Sequence, residues 1–212
     1  METPLPPSQR TPEGILTDYS EQHLDPTAFC AADFAFQVGA VVINDAGHVL
    51  VVRDPQTGVL LLPVSHPSLG VRGLVKAPLR FVKDQTGLRV ERLPLLHADK
   101  RYRNPDVQIW MRLEEDLVVE EDSAPTTNPF SFGLDVDWYT DSKSRSLRQS
   151  VISWYGGFVR GQPGVGDHYS FVPIKDAIAT LAQGGHRREY AHLKALSLFE
   201  QLWRATKTHQ GC

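Results

Sequence analysis

The stretch that decides the fold covers residues 60–88 and reads LLLPVSHPSLGVRGLVKAPLRFVKDQTGL. It opens with a short apolar run that Pro63 ends, as is typical of a buried strand. A loop follows, and a helix is predicted over residues 77–85. Pro78 suits the first turn of that helix, and Gly87 is a typical residue at a helix C-terminus. The stretch therefore predicts a strand, a loop and a helix in that order.

The back half of this stretch carries a sequence motif. The residues that match the motif are Arg80, Val82, Gly87 and Leu88. With these anchors it resembles the box of the Nudix hydrolase superfamily, G-x5-E-x7-R-E-U-x-E-E-x-G-U, in which U is a bulky aliphatic residue. The same alignment puts Phe81 at the first glutamate of the helix, and Asp84 and Gln85 at the next two acidic positions. The resemblance implies the α/β class, as a Nudix-like α/β/α sandwich around a mixed β-sheet.

The isolated glutamate upstream in the pattern is also missing. Counting back from Arg80 places Arg72 at that glutamate and His66 at the opening glycine. The alternative register, anchored at residues 62–70, places Val71 there and inserts one residue before the helix. Neither register supplies a carboxylate, so the Nudix box is degenerate at its metal-binding positions.

The physical demands of magnesium explain why the family uses glutamates. Mg²⁺ takes several oxygen ligands in near-octahedral geometry, and residues three or four apart present theirs on one face of a helix. Here the helix would present the ring of Phe81, the carboxylate of Asp84 and the amide of Gln85, with Arg72 nearby to repel a cation. We therefore expect no metal, no cofactor and no ordinary metal-dependent pyrophosphate hydrolysis.

Composition narrows the possible partners and location. The 212 residues are 41% hydrophobic and 22% charged, which suits one globular domain with a substantial core. A formal net charge of −3 gives no electrostatic reason to expect nucleic acid or an anionic membrane as a partner. We see no membrane span or secretory signal, and Cys30 and Cys212 lack the spacing of a disulfide framework or a zinc site. A cytoplasmic location is therefore expected.

Two regions are predicted along the chain. Residues 1–30 form a proline-rich N-terminal arm, and residues 34–206 form a single Nudix-like domain. The predicted strands cover residues 34–43, 48–53, 60–62, 89–96, 107–113 and 150–160, and the predicted later helices cover residues 175–182 and 188–206. Residues 120–148 are turn-rich but contain four aromatic residues, which favours an insertion that packs over a pocket as a lid.

Ten side chains are candidates for a functional site. The candidates for acid/base catalysis are His66, Asp84, His97 and Tyr102, whose side chains can move protons. The candidates for substrate binding are Arg72, Phe81, Arg103, Trp110, Trp154 and Tyr155. Arginine suits phosphate or carboxylate groups, and aromatic rings suit an apolar cleft. Core packing is the simpler explanation of an aromatic residue on a strand.

Three functions remain open. The first is a repurposed, metal-independent enzyme that uses acid/base catalysis on a small organic substrate, as in cyclisation or isomerisation. The second is a ligand-binding or regulatory module without turnover. The third is a divergent Mg²⁺-dependent hydrolase of nucleoside diphosphate derivatives, with Asp84 and members of the acidic run at residues 114–122 as relocated ligands. Phe81 and Gln85 would make the site drier, which favours the first slightly. A homodimer is compatible with all three.

Overall fold

The computed structural model describes residues 34–54, 58–65, 77–102, 115–119, 123–141, 144–161, 166–183 and 187–211. Nine strands and three helices lie in these ranges. The strands are β1 (Phe34–Asn44), β2 (His48–Arg53), β3 (Leu60–Leu61), β4 (Glu91–Arg92), β5 (Ala98–Tyr102), β6 (Glu115–Val119), β7 (Ser131–Asp141), β8 (Ser144–Val159) and β9 (Tyr169–Pro173). The helices are α1 (Arg80–Thr86), α2 (Ile174–Gln183) and α3 (Arg187–His209).

Seven of these strands form one mixed sheet. Its order is β3-β2-β1-β8-β4, with β7 also paired to β8 and β9 also paired to β2. Strands β1 and β8 run parallel over eleven residue pairs, and the remaining pairs in the sheet are antiparallel. Strands β5 and β6 pair separately as a two-stranded sheet. The predicted α/β class with a mixed sheet is therefore confirmed.

The helices cover both faces of the large sheet. On one face, Val82 of α1 packs into a buried cluster with Val38, Ala40 and Val42 of β1. On the other face, α2 and α3 pack into a larger buried cluster that includes Val41 of β1. Because strand residues alternate between faces, β1 contributes to both clusters in turn. The layers are thus helix, sheet and helix, as an α/β/α sandwich requires.

Trp154 fits on the α3 side of the sheet because two neighbouring positions are glycine and have no side chain. It pairs in register with Gly39 across the parallel strands and is fully buried. A Cβ atom at Gly39 would lie 2.7 Å from Cδ2 of the indole, and closer still to two other ring atoms. A Cβ atom at Gly133 would lie 2.9 Å from Nε1 of the same ring. Both positions therefore need glycine for space.

Two buried polar side chains of α3 accept hydrogen bonds from the backbone next to the strands. The amide of Leu96 donates to Oγ1 of Thr206 at 2.9 Å, and that hydroxyl donates to the carbonyl of Leu202 at 2.7 Å. The amide of Leu62 donates to Nδ1 of His192 at 3.2 Å. A buried backbone N–H without an acceptor is costly, so these bonds hold α3 in one position on the sheet.

The local predictions agree closely with the structure. The β1–β2 hairpin turns where expected: the amides of Gly47 and His48 donate to the backbone and side-chain oxygens of Asn44 at 2.9 and 3.0 Å. Helix α1 ends at the expected glycine, since Gly87 has a φ of 75° and its amide donates to Lys83. The helix begins at Arg80, a turn later than predicted, after a turn that includes Pro78.

Other predictions differ from the structure. The region expected to form a lid, residues 120–148, contains the long strand β7 and the start of β8. The strand expected over residues 89–96 is only the two-residue β4. Residues 98–102, for which no strand was predicted, form β5. The N-terminal arm and the strand predicted over residues 107–113 lie outside the described residues. None of the described helices is long and apolar enough to cross a membrane.

We expect Thr206→Val to lower the free energy of unfolding by about 1–3 kcal/mol, because the buried Leu96 amide loses its acceptor. Thr206→Ser, which keeps the hydroxyl, should cost much less. Thr208→Val is the matched control: Thr208 also donates to a carbonyl one turn earlier, Arg204, but it is exposed. Chemical denaturation measures all three, and equal losses at both threonines would contradict the role given to Leu96.

We expect Gly39→Ala to destabilise the protein by about 1–3 kcal/mol, because the new methyl group overlaps the indole of Trp154. In a Trp154→Leu background the same change should cost clearly less, since the overlapping ring atoms are gone. A double-mutant cycle by urea denaturation measures this coupling. Equal costs in both backgrounds would show that the indole does not limit the space at Gly39.

Candidate functional site

The end of α1 is joined to the segment after β3, residues 63–65, which lies beside β1. Nε2 of Gln85 donates to the carbonyl of Val64 at 2.9 Å. The next residue, Ser65, is buried and bonds twice to Val38: the Val38 amide donates to the serine Oγ at 2.9 Å, and the Ser65 amide donates to the Val38 carbonyl at 2.8 Å. Nε2 of Gln37 donates to the Ser65 carbonyl at 2.8 Å. These bonds fix the segment that ends at Ser65 beside β1.

The three box positions on α1 have three different environments. Phe81 is half-buried and packs against the cluster on the α1 side of the sheet. Asp84 is exposed. Gln85 is exposed but donates through its amide to Val64, a bond that an ionised carboxylate, which has only acceptors, could not make. At two of the three positions, therefore, the side chain is engaged in holding the helix in place.

Tyr155 lies on the same face of the sheet as α1. It is buried, belongs to the α1-side cluster and pairs in register with Ala40. The guanidinium carbon of Arg92 lies 5.9 Å from the centre of its ring, within the range of a cation–π interaction. This arrangement places a cation and an aromatic ring beside the helix that carries the box.

Trp154 lies on the opposite face of the sheet from Tyr155. It is fully buried, and its ring meets that of His192 edge-on, with centroids 5.2 Å apart. The sequence analysis expected Trp154 and Tyr155 to line one cleft. Consecutive residues of a strand point to opposite faces, so they do not. Trp154 packs in the core, and Tyr155 is the one of the two that faces α1.

The other candidates fall at scattered positions. His97 is exposed just before β5, and Tyr102 is the last residue of β5, where its register partner is Glu115 of β6. Both therefore belong to the small two-stranded sheet or its approach, not to the sheet that carries α1. Four candidates lie outside the described residues: His66, Arg72, Arg103 and Trp110. Across the described residues, no group of three His, Cys, Asp or Glu side chains is arranged to hold a metal ion.

The sequence analysis missed the polar residues Gln37 and Ser65, and two exposed aromatic residues, Phe36 and Phe132. Phe36 is 45% exposed and Phe132 is 69% exposed. Both lie on the α1 side of the sheet. Their register partners stand at odd-numbered positions of β8, whereas Trp154, at an even-numbered position, faces α3. The pairing of β1, β8 and β7, which puts these two residues on one face, was not visible in the sequence.

Comparison with known proteins finds matches among solved structures. An Ap4A hydrolase of C. elegans is 12% identical, with 80% of this chain and 98% of that chain covered and a TM-score of 0.43. A NUDIX family hydrolase from Clostridium perfringens is 17% identical, with 79% and 97% covered and a TM-score of 0.43. A MutT protein from Methanosarcina mazei Go1 is 13% identical, with 84% and 99% covered and a TM-score of 0.40. No family model and no curated protein matches the sequence.

We expect Gln85→Glu to lower the free energy of unfolding by about 1 kcal/mol at neutral pH, because the carboxylate cannot donate to the Val64 carbonyl. Gln201→Glu, an exposed amide-to-carboxylate change on α3, is the matched control and should have little effect. Thermal unfolding followed by circular dichroism measures both. If the two variants lost the same stability, the Gln85–Val64 bond would not contribute.

Proposed function

We propose that this chain is a Nudix-fold protein that has lost metal-dependent pyrophosphohydrolase chemistry. We propose further that it acts without a metal on a small organic substrate, by acid/base catalysis of the cyclisation or isomerisation type. The reaction would take place in the cytoplasm and beside α1, on the face of the sheet that carries Tyr155. No nucleic acid or membrane partner is part of this proposal.

The observation that carries the proposal is the use of the box positions for packing and anchoring. Phe81 contributes its ring to the core, and Gln85 contributes its amide to the bond with Val64. Magnesium binding would need carboxylate oxygens at these positions, directed away from the protein and towards the ion. The side chains present supply an apolar surface and a hydrogen-bond donor in their place. Both features suit an organic ligand better than a diphosphate–metal complex.

Asp84 is the acid/base group in this proposal. It is the carboxylate on the exposed side of α1, one position before Gln85, so it can reach a ligand held beside the helix. Arg92 and Tyr155 would bind the ligand. The guanidinium of Arg92, which lies over the ring of Tyr155, would attract an anionic or aromatic group of the ligand. His66 and Arg72, which lie outside the described residues, complete the proposed site from the sequence.

A second candidate function is a binding module without turnover. The observation that favours it is the exposure of both Asp84 and His97, the two acid/base candidates whose side chains are described. Catalytic acids and bases are commonly set in partly desolvated surroundings that adapt them to proton transfer. The lost glutamates fit this function equally well, so the two proposals differ only in whether bound ligand is converted.

We expect isothermal titration of the full chain with Mg²⁺ or Mn²⁺ to show no specific binding, with or without a non-hydrolysable ADP-ribose-type diphosphate. The physical reason is the single carboxylate of α1, which is too few oxygens for a magnesium site. Specific binding that Asp84→Asn abolishes would overturn the proposal and restore the third function, a hydrolase with relocated ligands. Asp176→Asn, on α2 at the opposite face, is the matched control.

A screen of small organic compounds by thermal shift, followed by product analysis of every hit, separates the remaining two functions. In the enzyme, Asp84→Asn should abolish conversion and leave binding within a few-fold of the original affinity. In the binding module, no hit is converted by either protein. Loss of binding in Asp176→Asn as well would place the ligand site elsewhere on the molecule.

A further inference from the structure

His192 is a buried titratable side chain that has no part in the function proposed above. It lies in α3 and is 1% exposed. Its Nδ1 accepts a hydrogen bond from the backbone amide of Leu62 at 3.2 Å, and the indole of Trp154 meets its ring edge-on. A backbone N–H can only donate, so Nδ1 must present a lone pair and the hydrogen of the neutral ring is on Nε2. Only the neutral imidazole therefore fits this bond.

The residues next to this bond connect it to α1. We call residues 62–65 the connecting segment. The amide of Ala40 donates to the carbonyl of Pro63 at 3.0 Å. One residue further on, the carbonyl of Val64 accepts a bond from the side-chain amide of Gln85 in α1 at 2.9 Å. The connecting segment is thus bonded to α3 at its first residue and to α1 two residues later.

Protonation of His192 removes the acceptor of the Leu62 amide. The added hydrogen on Nδ1 points at that N–H, so the bond is lost and two donors face each other. A free imidazole takes up a proton near pH 6.5, so an open arrangement binds the proton better than the closed one. The closed arrangement is therefore most stable above about pH 6.5 and loses stability as the pH falls below that value. One proton changes the opening equilibrium by up to about tenfold per pH unit.

The described neighbours of His192 carry no opposite charge that would stabilise an imidazolium. Trp154 and Leu62 belong to the apolar cluster on the α3 side, as do Ala195 and Leu196, which follow three and four residues along the helix. The charged residues of the surrounding elements are exposed Lys175 and Asp176 of α2 and, with side chains outside those described, Asp135 and Asp137 of β7, Arg148 of β8, and Arg188 and Glu189 of α3. Among the described groups, the Leu62 N–H thus decides which form of the ring fits.

We propose that His192 is a pH-sensitive latch between α3 and the connecting segment. The neutral ring holds the amide of Leu62, and through the connecting segment it keeps the Val64 carbonyl in place for Gln85. The protonated ring releases the segment and with it the bond that joins the end of α1. The latch thus couples a titration on one face of the sheet to the helix on the other face. The proposal does not depend on the function proposed above.

Amide hydrogen exchange of the full chain, followed by NMR, tests the latch without any substitution. Between about pH 7.5 and about pH 5, the protection factors of the Leu62 and Ala40 amides should fall about tenfold or more. These factors already correct for the intrinsic effect of pH on exchange. The amide of Leu96 is the internal control, because its acceptor on α3 is the hydroxyl of Thr206, which does not titrate in this range. An equal loss at Leu96, or no loss at Leu62, would overturn the proposal.

A substitution assigns the pH dependence to one histidine. His192→Asn keeps an acceptor near the position of Nδ1 but cannot be protonated, so the protection of Leu62 should no longer depend on pH. His168→Asn is the matched control, since His168 is exposed in the turn before β9, and it should keep the full pH dependence. The same loss of protection in His192→Asn as in the wild type excludes the latch. Nitrogen NMR of the wild-type ring does not need the variant to fold: a neutral ring with its hydrogen on Nδ1 also excludes it.

Discussion

The parallel pairing of β1 with β8 is the constraint on which the rest of the structure depends. It joins segments about a hundred residues apart in the chain. The entropic cost of closing so long a loop is only modestly higher than that of a short one, because this cost grows slowly with loop length. Because both strands are central, their buried residues alternate between two helical layers. Val41 faces α2 and α3, and Val42 faces α1. This double burial explains why β1 reads as a continuous apolar run.

The same pairing decides which helical layer each aromatic residue of β8 faces. Trp154 and Tyr155 are neighbours in the sequence, but the register of β8 gives the first to the α3 side and the second to the α1 side. The large indole fits only because its two flanking strands supply Gly39 and Gly133. On the other face, Tyr155 lies beside the helix that carries the box. The sheet thus sends two adjacent aromatic residues into different buried clusters.

Residue types within a few positions of each other predicted local structure well, but they did not predict which distant strands pair. The Asn44 turn, the Gly87 helix end and the helices at the C-terminus follow from residue types within a few positions. Strand β7 was missed because Gly133 and Asp135 are residues of low strand propensity. Its pairing with β8 outweighs that local preference through eleven backbone pairs. The sequence placed the box positions Phe81, Asp84 and Gln85 on one helix, as the structure does, but the partner of Gln85 became clear only from the fold.

Two side chains of α1 connect this helix to the rest of the molecule. Fully burying a phenylalanine side chain contributes about 1.5–3 kcal/mol, whereas a carboxylate in the partly buried place of Phe81 would lose part of its hydration. Gln85 adds a bond to Val64 that a carboxylate could not donate. Phe81 thus packs α1 on the core cluster, and Gln85 joins it to the segment beside β1. Asp84 faces solvent, so a different side chain there would gain neither the core packing of Phe81 nor the hydrogen bond of Gln85. Of these three positions, the carboxylate therefore stands at the one where it does not compete with the packing of the helix.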